Sequence, residues 1–280
     1  MDLKEFVSNA GPTLRGDYAQ ARSDFTVEQA ATRYAEGEHA LWRRLYERQM
    51  ALLPGRAEET YLARLAELDA SGGIPDFERV TARLRRATRW EIVAVPGLIP
   101  DLAFFDHLAH RRFPVTVWLR KPAEFDYIVE PDVFHDLVGH VPLLFEPAYA
   151  DYLQAYGEGG LKAARLEALR MLARLYWYTV EFGLVRTPRG LRIFGAGILS
   201  SAGEVRHSLE SPRPRRLDFD LERILRTDYR IDRFQDTYFV IGDFRQLVRD
   251  TAPDFTPLYE RARALPALAP DAVLESDRPA

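Results

Sequence analysis

Apolar positions Ala31, Tyr34, Leu41, Trp42, Leu45 and Met50 recur at roughly three- and four-residue steps. This predicts a helix from Val27 to Leu53, stopped by Pro54-Gly55. A second helix is predicted from Ala57 to Ala70, ended by Ser71-Gly72-Gly73, and a third after Pro75 to about Thr88. The pattern then changes period. Trp90 to Val95 alternates like a strand and Pro96-Gly97 turns it. Leu102 to Arg111 returns to helical spacing, and Phe113 to Leu119 carries the β-branched residues of another strand. Asp132 suits the N-cap of a short helix ending near Gly139. Leu161 to Val185 reads as the longest helical run after the first, with Gly157 to Gly160 as a loop before it. Small strands are expected at 191–194 and 237–241. Residues 1–25 read as a polar, loosely attached arm and 266–280 as a frayed Ala/Pro-rich tail. Helices dominate and no linker divides the chain. The expected fold is mainly α with small β elements, as a single domain over residues 26–265.

Composition narrows the function classes. With 280 residues, 47% hydrophobic and 29% charged, the chain can bury a sizeable core. A net charge of −4 offers no general attraction to nucleic acid or to an anionic membrane, and neither is expected as a partner. The Pro-Arg-Pro-Arg-Arg run at 212–216 sits beside the acidic 218–222 segment and reads as a solvated loop. No apolar stretch approaches the roughly 18 residues of a spanning helix. The opening Met-Asp-Leu-Lys-Glu is no signal peptide, so a cytoplasmic protein is expected. There are no cysteines, so a metal site must use His, Asp or Glu.

The segment Glu130 to Pro142 concentrates such groups. His135 and His140 lie five residues apart, which on a straight α-helix places them about 140° apart. They can share an ion only if the helix ends or distorts between them. Gly139 allows a left-handed backbone and Pro142 biases Val141 away from helix, so His135 can project from the helix and His140 from its terminus onto one point. Glu130, Asp132 and Asp136 crowd the first histidine, and carboxylates commonly orient metal-bound imidazoles through the second ring nitrogen. Glu181 lies among aromatic and apolar residues, where an isolated carboxylate costs several kcal/mol to bury unless a cation accompanies it. Two imidazoles and one carboxylate fit the facial triad of non-haem iron(II) oxygenases. They fit catalytic zinc with bound water equally well. The alternatives without metal are a core histidine, a helix-capping histidine and a glutamate paired with arginine. His107-x-x-His110 reads as helix C-terminal side chains favoured by the dipole. His39 and His207 receive no role.

Four motifs in order, Val95 to Ile99, Glu130 to Pro142, Leu175 to Leu184 and Gly195 to Ser201, resemble the pterin-dependent aromatic amino acid hydroxylases, and among them the bacterial phenylalanine-hydroxylating members. The likeness spans about Tyr34 to Pro257. It implies a single catalytic domain holding one Fe(2+) through His135, His140 and Glu181, with tetrahydrobiopterin or a related tetrahydropterin as cofactor. It implies that Arg120 grips the carboxylate of the substrate, as a planar guanidinium can with two hydrogen bonds. Ser200 helps fix the substrate, and Trp177 and Pro131 form the ring pocket. Ile128 stands where many relatives have threonine, so an apolar group replaces a small polar contact. Phe104 is placed to stack on the pterin, the Gly97-Leu98-Ile99 loop to meet its edge, and Asp136 to lie near it. Val240 is expected as an apolar wall over the substrate ring, which suits phenylalanine and leaves a phenol hydroxyl unpaired. The reaction so implied uses O2 to convert L-phenylalanine to L-tyrosine in a monomeric enzyme. Tryptophan hydroxylation in the same family and a zinc-dependent hydrolase are the competing readings.

Overall fold

The computed structural model describes residues 14–29 and 34–280. The first helix, α1 (Glu36–Leu52), buries Leu41, Trp42, Leu45, Gln49 and Leu52 along one stripe. It starts later than the apolar spacing predicts. The Val27 N–H donates to Ala94 O (2.8 Å), which keeps that stretch extended, and the Glu38 carboxylate caps the Ala35 N–H (2.8 Å). Ala31 lies outside the described residues, as do residues 1–13 of the expected arm. The described part of that arm is not loose. Tyr18 and Phe25 are buried, and the Tyr18 hydroxyl donates to Leu98 O (2.7 Å).

Helices α2 (Glu59–Leu65) and α3 (Phe77–Thr88) follow as expected. Asp76 caps α3, and left-handed Arg89 ends it. Then β1 (Glu91–Val95), α4 (Asp101–Ala109) and β2 (Arg112–Thr116) form one β-α-β unit, its strands parallel from Glu91↔Arg112 to Val95↔Thr116.

The largest departure from the sequence pattern is α5 (Pro147–Arg165), which runs straight through the glycines read as a loop. A Cβ at Gly157 would lie 2.4 Å from Ala109 N, and one at Gly160 only 2.0 Å from Phe105 Cδ1. The glycines are there to let α5 lie directly on α4. The true break falls at Glu167, whose φ of 52° separates α5 from α6 (Leu169–Tyr176).

A second sheet combines β3 (Leu184–Thr187), β4 (Gly190–Ile193), β5 (Arg215–Asp218) and β6 (Thr237–Ile241) in the order β4-β3-β6-β5. Arg215 and Arg216 of the basic run therefore open a strand, and the Arg216 guanidinium donates to the carbonyls of Ser208 and Ser211. Short helices α7 (Ala196–Leu199), α8 (Ala202–Glu210), α9 (Leu221–Arg226), α10 (Phe244–Thr251) and α11 (Thr256–Arg263) complete the α-helices of the described residues. The C-terminal segment is not frayed. Asp218 N donates to Arg278 O (2.8 Å), Ala280 N to Arg216 O (2.9 Å), and Arg223 pairs with Asp277 at 2.9 Å. Among the described residues, no helix is long and apolar enough to cross a membrane.

Alanine outranks glycine as a helix former by about 1 kcal/mol. Gly157→Ala is nevertheless expected to destabilise the protein by about 1–3 kcal/mol, because the new methyl meets the α4 backbone. A urea midpoint at or above wild type would contradict the packing assignment.

Candidate metal centre

Two π-helical turns build the centre, π1 (His135–His140) and π2 (Trp177–Glu181). In such a turn the i→i+5 hydrogen bond places residues five apart over one another. That is how His135 and His140 converge. Gly139 does not end the helix and has no positive φ. Its role is proximity: a Cβ there would lie 2.9 Å from both the Ala196 Cβ and the Ala196 O of α7. Gly195 is equally constrained, since its Cβ would lie 2.4 Å from Glu181 O. Glycines thus let π1, π2 and the start of α7 close on one another.

The Nε2 atoms of His135 and His140 are 3.1 Å apart. Glu181 lies 3.2 Å from His140 Nε2 through Oε1 and 3.6 Å from His135 Nε2 through Oε2. Cis ligands on one ion with bonds of about 2.0–2.2 Å sit roughly 3 Å apart, so the three groups match one face of a coordination sphere. The tautomer also fits. The Ser200 hydroxyl donates to Ala196 O (2.9 Å), so its oxygen accepts from His135 Nδ1–H (2.9 Å), leaving His135 Nε2 unprotonated toward the shared point. Burial pushes the His135 imidazole down to about 4, which keeps it neutral near pH 7. Burial pushes Glu181 up, but the facing His140 and His135 outweigh it and hold the carboxyl below its usual range.

The nearby carboxylates do not orient the imidazoles as the sequence suggested. Asp132 accepts the His135 backbone N–H at Oδ1 (3.0 Å) and grips Arg120 with both oxygens, Nε–Oδ2 at 2.8 Å and Nη2–Oδ1 at 2.9 Å. Asp132 is 0% and Arg120 4% exposed, so Arg120 is no surface charge. Asp136 Oδ2 accepts from Thr116 N (2.7 Å), and burial pushes its carboxyl up to about 7. Glu130 also rises through burial.

A cavity of about 520 Å³ opens onto His135 and Glu181. It brings together Arg120, Ile128, Glu130, Pro131, Trp177, Ser200 and Leu98 from the sequence-predicted set. Gly97, Ile99, Phe104 and Asp136 are not among its walls. Phe104 instead packs edge-on against Tyr176 at 5.7 Å, and Tyr176 stacks on His140. Val240, expected as a wall over the substrate ring, does not line this cavity. It is 3% exposed, pairs with Leu184 and Asp218 inside the sheet, and borders a different cavity with Arg186 and Asp218. From the preceding segment, Ile231, Arg233, Phe234 and Gln235 line the cavity that holds Arg120.

The sequence reading missed Tyr127, Glu204 and Gln235, which also line the cavity. Glu204 sits in a Ser-x-x-Glu pattern that reads as a helix cap. Its carboxylate instead accepts from Gln235 N (3.1 Å) and from the Tyr238 hydroxyl, and burial pushes it up to about 7.

The family model described as biopterin-dependent aromatic amino acid hydroxylase matches residues 15–261. A phenylalanine-4-hydroxylase of Ralstonia nicotianae is 60% identical over 97% of this chain and 89% of its own length. One from Chromobacterium violaceum is 60% identical over 85% of this chain and 80% of its own. The iron- and phenylalanine-bound crystal structure of the Chromobacterium violaceum enzyme superposes with a TM-score of 0.88 at 54% identity, covering 96% of this chain and 97% of that one.

Metal titration checks the centre directly. Co(II) should bind the wild-type protein, and Glu181→Ala should bind it at least about a hundredfold more weakly, since a charged ligand is lost. Ser200→Ala should cost about ten- to a hundredfold by freeing the His135 ring. Wild-type affinity in Glu181→Ala would remove that residue from the ligand set.

Proposed function

The chain belongs to the biopterin-dependent aromatic amino acid hydroxylases, and from that premise we propose how its own residues serve the hydroxylation of phenylalanine. The enzyme is a phenylalanine 4-monooxygenase that uses Fe(2+) and a tetrahydropterin. One observation carries the assignment of roles: His135, His140 and Glu181 converge on one point at the floor of a cavity that also holds Arg120. Neither tryptophan hydroxylation nor zinc-dependent hydrolysis is favoured beside relatives of 55–60% identity that carry the phenylalanine hydroxylase name.

Bound iron and tetrahydropterin supply the activation of O2 that no side chain provides. The protein's part is to hold, orient and exclude. Asp132 occupies the Nε and Nη2 edge of Arg120, which leaves Nη1 for the amino acid carboxylate. The same Asp132 accepts the His135 N–H, so substrate anchor and metal ligand share one buried carboxylate. Trp177 and Pro131 flank the substrate ring, and Ile128 adds apolar surface. These walls favour a plain phenyl ring, which needs no polar partner. Phe104 lies one aromatic contact from the metal ligands through Tyr176, a placement that supports its role beside the pterin, together with the Gly97-Leu98-Ile99 loop and Asp136. The proposal extends to a monomer acting in the cytoplasm.

The purified protein, supplied with Fe(II), tetrahydropterin and O2, should convert phenylalanine to tyrosine with a higher kcat/KM than it shows for tryptophan. A reversed preference would overturn the substrate assignment. Arg120→Ala is a poor probe, because it strands the buried Asp132 charge at a cost of about 3–5 kcal/mol. Arg120→Lys keeps the charge but not the fork, and should raise the phenylalanine KM about tenfold or more with the fold retained. An unchanged KM would take Arg120 out of the substrate site.

A further inference from the structure

The segment after α9 walls the cavity, and Gln235 is its hub. This side chain is 5% exposed. Its Oε1 accepts from the Trp177 indole Nε1 at 2.8 Å. Its Nε2 donates to Arg230 O (3.1 Å) and Arg233 O (3.3 Å). Its backbone N–H donates to Glu204, and its carbonyl accepts from His207 Nε2 at 3.1 Å. Trp177 itself stacks on Tyr229 at 4.2 Å and 14°, and leans on Phe182 at 4.7 Å.

We propose that Gln235 is a positioning residue that sets ring selectivity, by tying the indole of Trp177 to the backbone of the 230–233 loop. The inference rests on the reading of Trp177 as a wall of the substrate ring pocket. Tryptophan has a single polar atom, Nε1, and its donor is committed here. One carboxamide satisfies it and spends both of its own donors on the loop carbonyls, so the indole and the loop move as a unit. A substrate ring larger than phenyl needs Trp177 to turn aside. That turn breaks the partly buried Nε1–Oε1 bond and leaves the acceptor of the buried Gln235 unpaired, a penalty that a phenyl ring does not incur. Gln235 acts through its bond to Trp177. It makes the wall costly to displace.

The test is a double-mutant cycle in the full-length, iron-loaded enzyme. Gln235→Met keeps length and burial but removes all three side-chain hydrogen bonds. Trp177→Phe removes the same indole bond from the other side. Steady-state kinetics with phenylalanine and with tryptophan, and the Tm, are read for each variant and for the double variant. Gln235→Met is expected to raise the phenylalanine KM about tenfold with kcat little changed, and to raise the tryptophan-to-phenylalanine ratio of kcat/KM about tenfold, the worth of one buried hydrogen bond. In the Trp177→Phe background the same change should leave the ratio where Trp177→Phe alone puts it. A lower Tm with a wild-type ratio would mean a merely structural role and overturn the inference. A shifted ratio in Trp177→Phe beside a wild-type ratio in Gln235→Met overturns the inference alone. A wild-type ratio in Trp177→Phe overturns the ring-wall reading and the inference with it. Should Gln235→Met not fold, Gln235→Leu takes its place under the same criteria.

Discussion

Two imidazoles and a carboxylate must meet at one buried point, and much of the surrounding structure follows from that requirement. Separations of 3.1–3.6 Å between their atoms match a shared cation, provided that the ring protons are turned away from it. Ser200 does this for His135 by using its own proton on Ala196 O and accepting that of His135 Nδ1. Burial acts in the same direction by disfavouring imidazolium at His135. Glu181 supplies the charge that a divalent ion would meet.

Convergence at this scale needs backbone, not only side chains. An α-helix would send His135 and His140 to diverging faces. A π turn brings them together, and a second π turn presents Glu181. Wider turns pack badly unless a neighbour approaches closely, and here α7 does so where Gly139 and Gly195 carry no side chain. The same device lets α5 lie against α4 at Gly157 and Gly160. In both places glycine is used for proximity rather than for flexibility.

The cavity is organised by shared partners. Asp132 serves the His135 backbone and the Arg120 fork together, so the π1 turn and the Arg120 guanidinium cannot shift independently. Gln235 does the same for Trp177 and the loop beside it. Both hubs are almost fully buried, where an unpaired polar group is most costly and geometry is therefore most strictly held.

Residue chemistry alone made His135, His140 and Glu181 a candidate metal site in a cysteine-free, mainly helical chain, with zinc and non-metal readings still open. The long motifs added the family, and the helices at α2, α3 and α4 and the strands β1, β4 and β6 were legible from period and punctuation. Three things were not. Glycine reads as a breaker from sequence, yet Gly139, Gly157 and Gly160 sit inside helices, because what they accommodate is a neighbour distant along the chain. Val240 reads as a pocket wall by position, but pairing with Leu184 and Asp218 turns it into the sheet. Glu204 reads locally only as part of a helix cap and Gln235 carries no local signal, since their partners Tyr238 and Trp177 lie tens of residues away. The sequence by itself determined which groups could bind a metal. Only the tertiary structure decided how they meet and what lines the space above them, because both depend on close approaches between segments that no local pattern encodes.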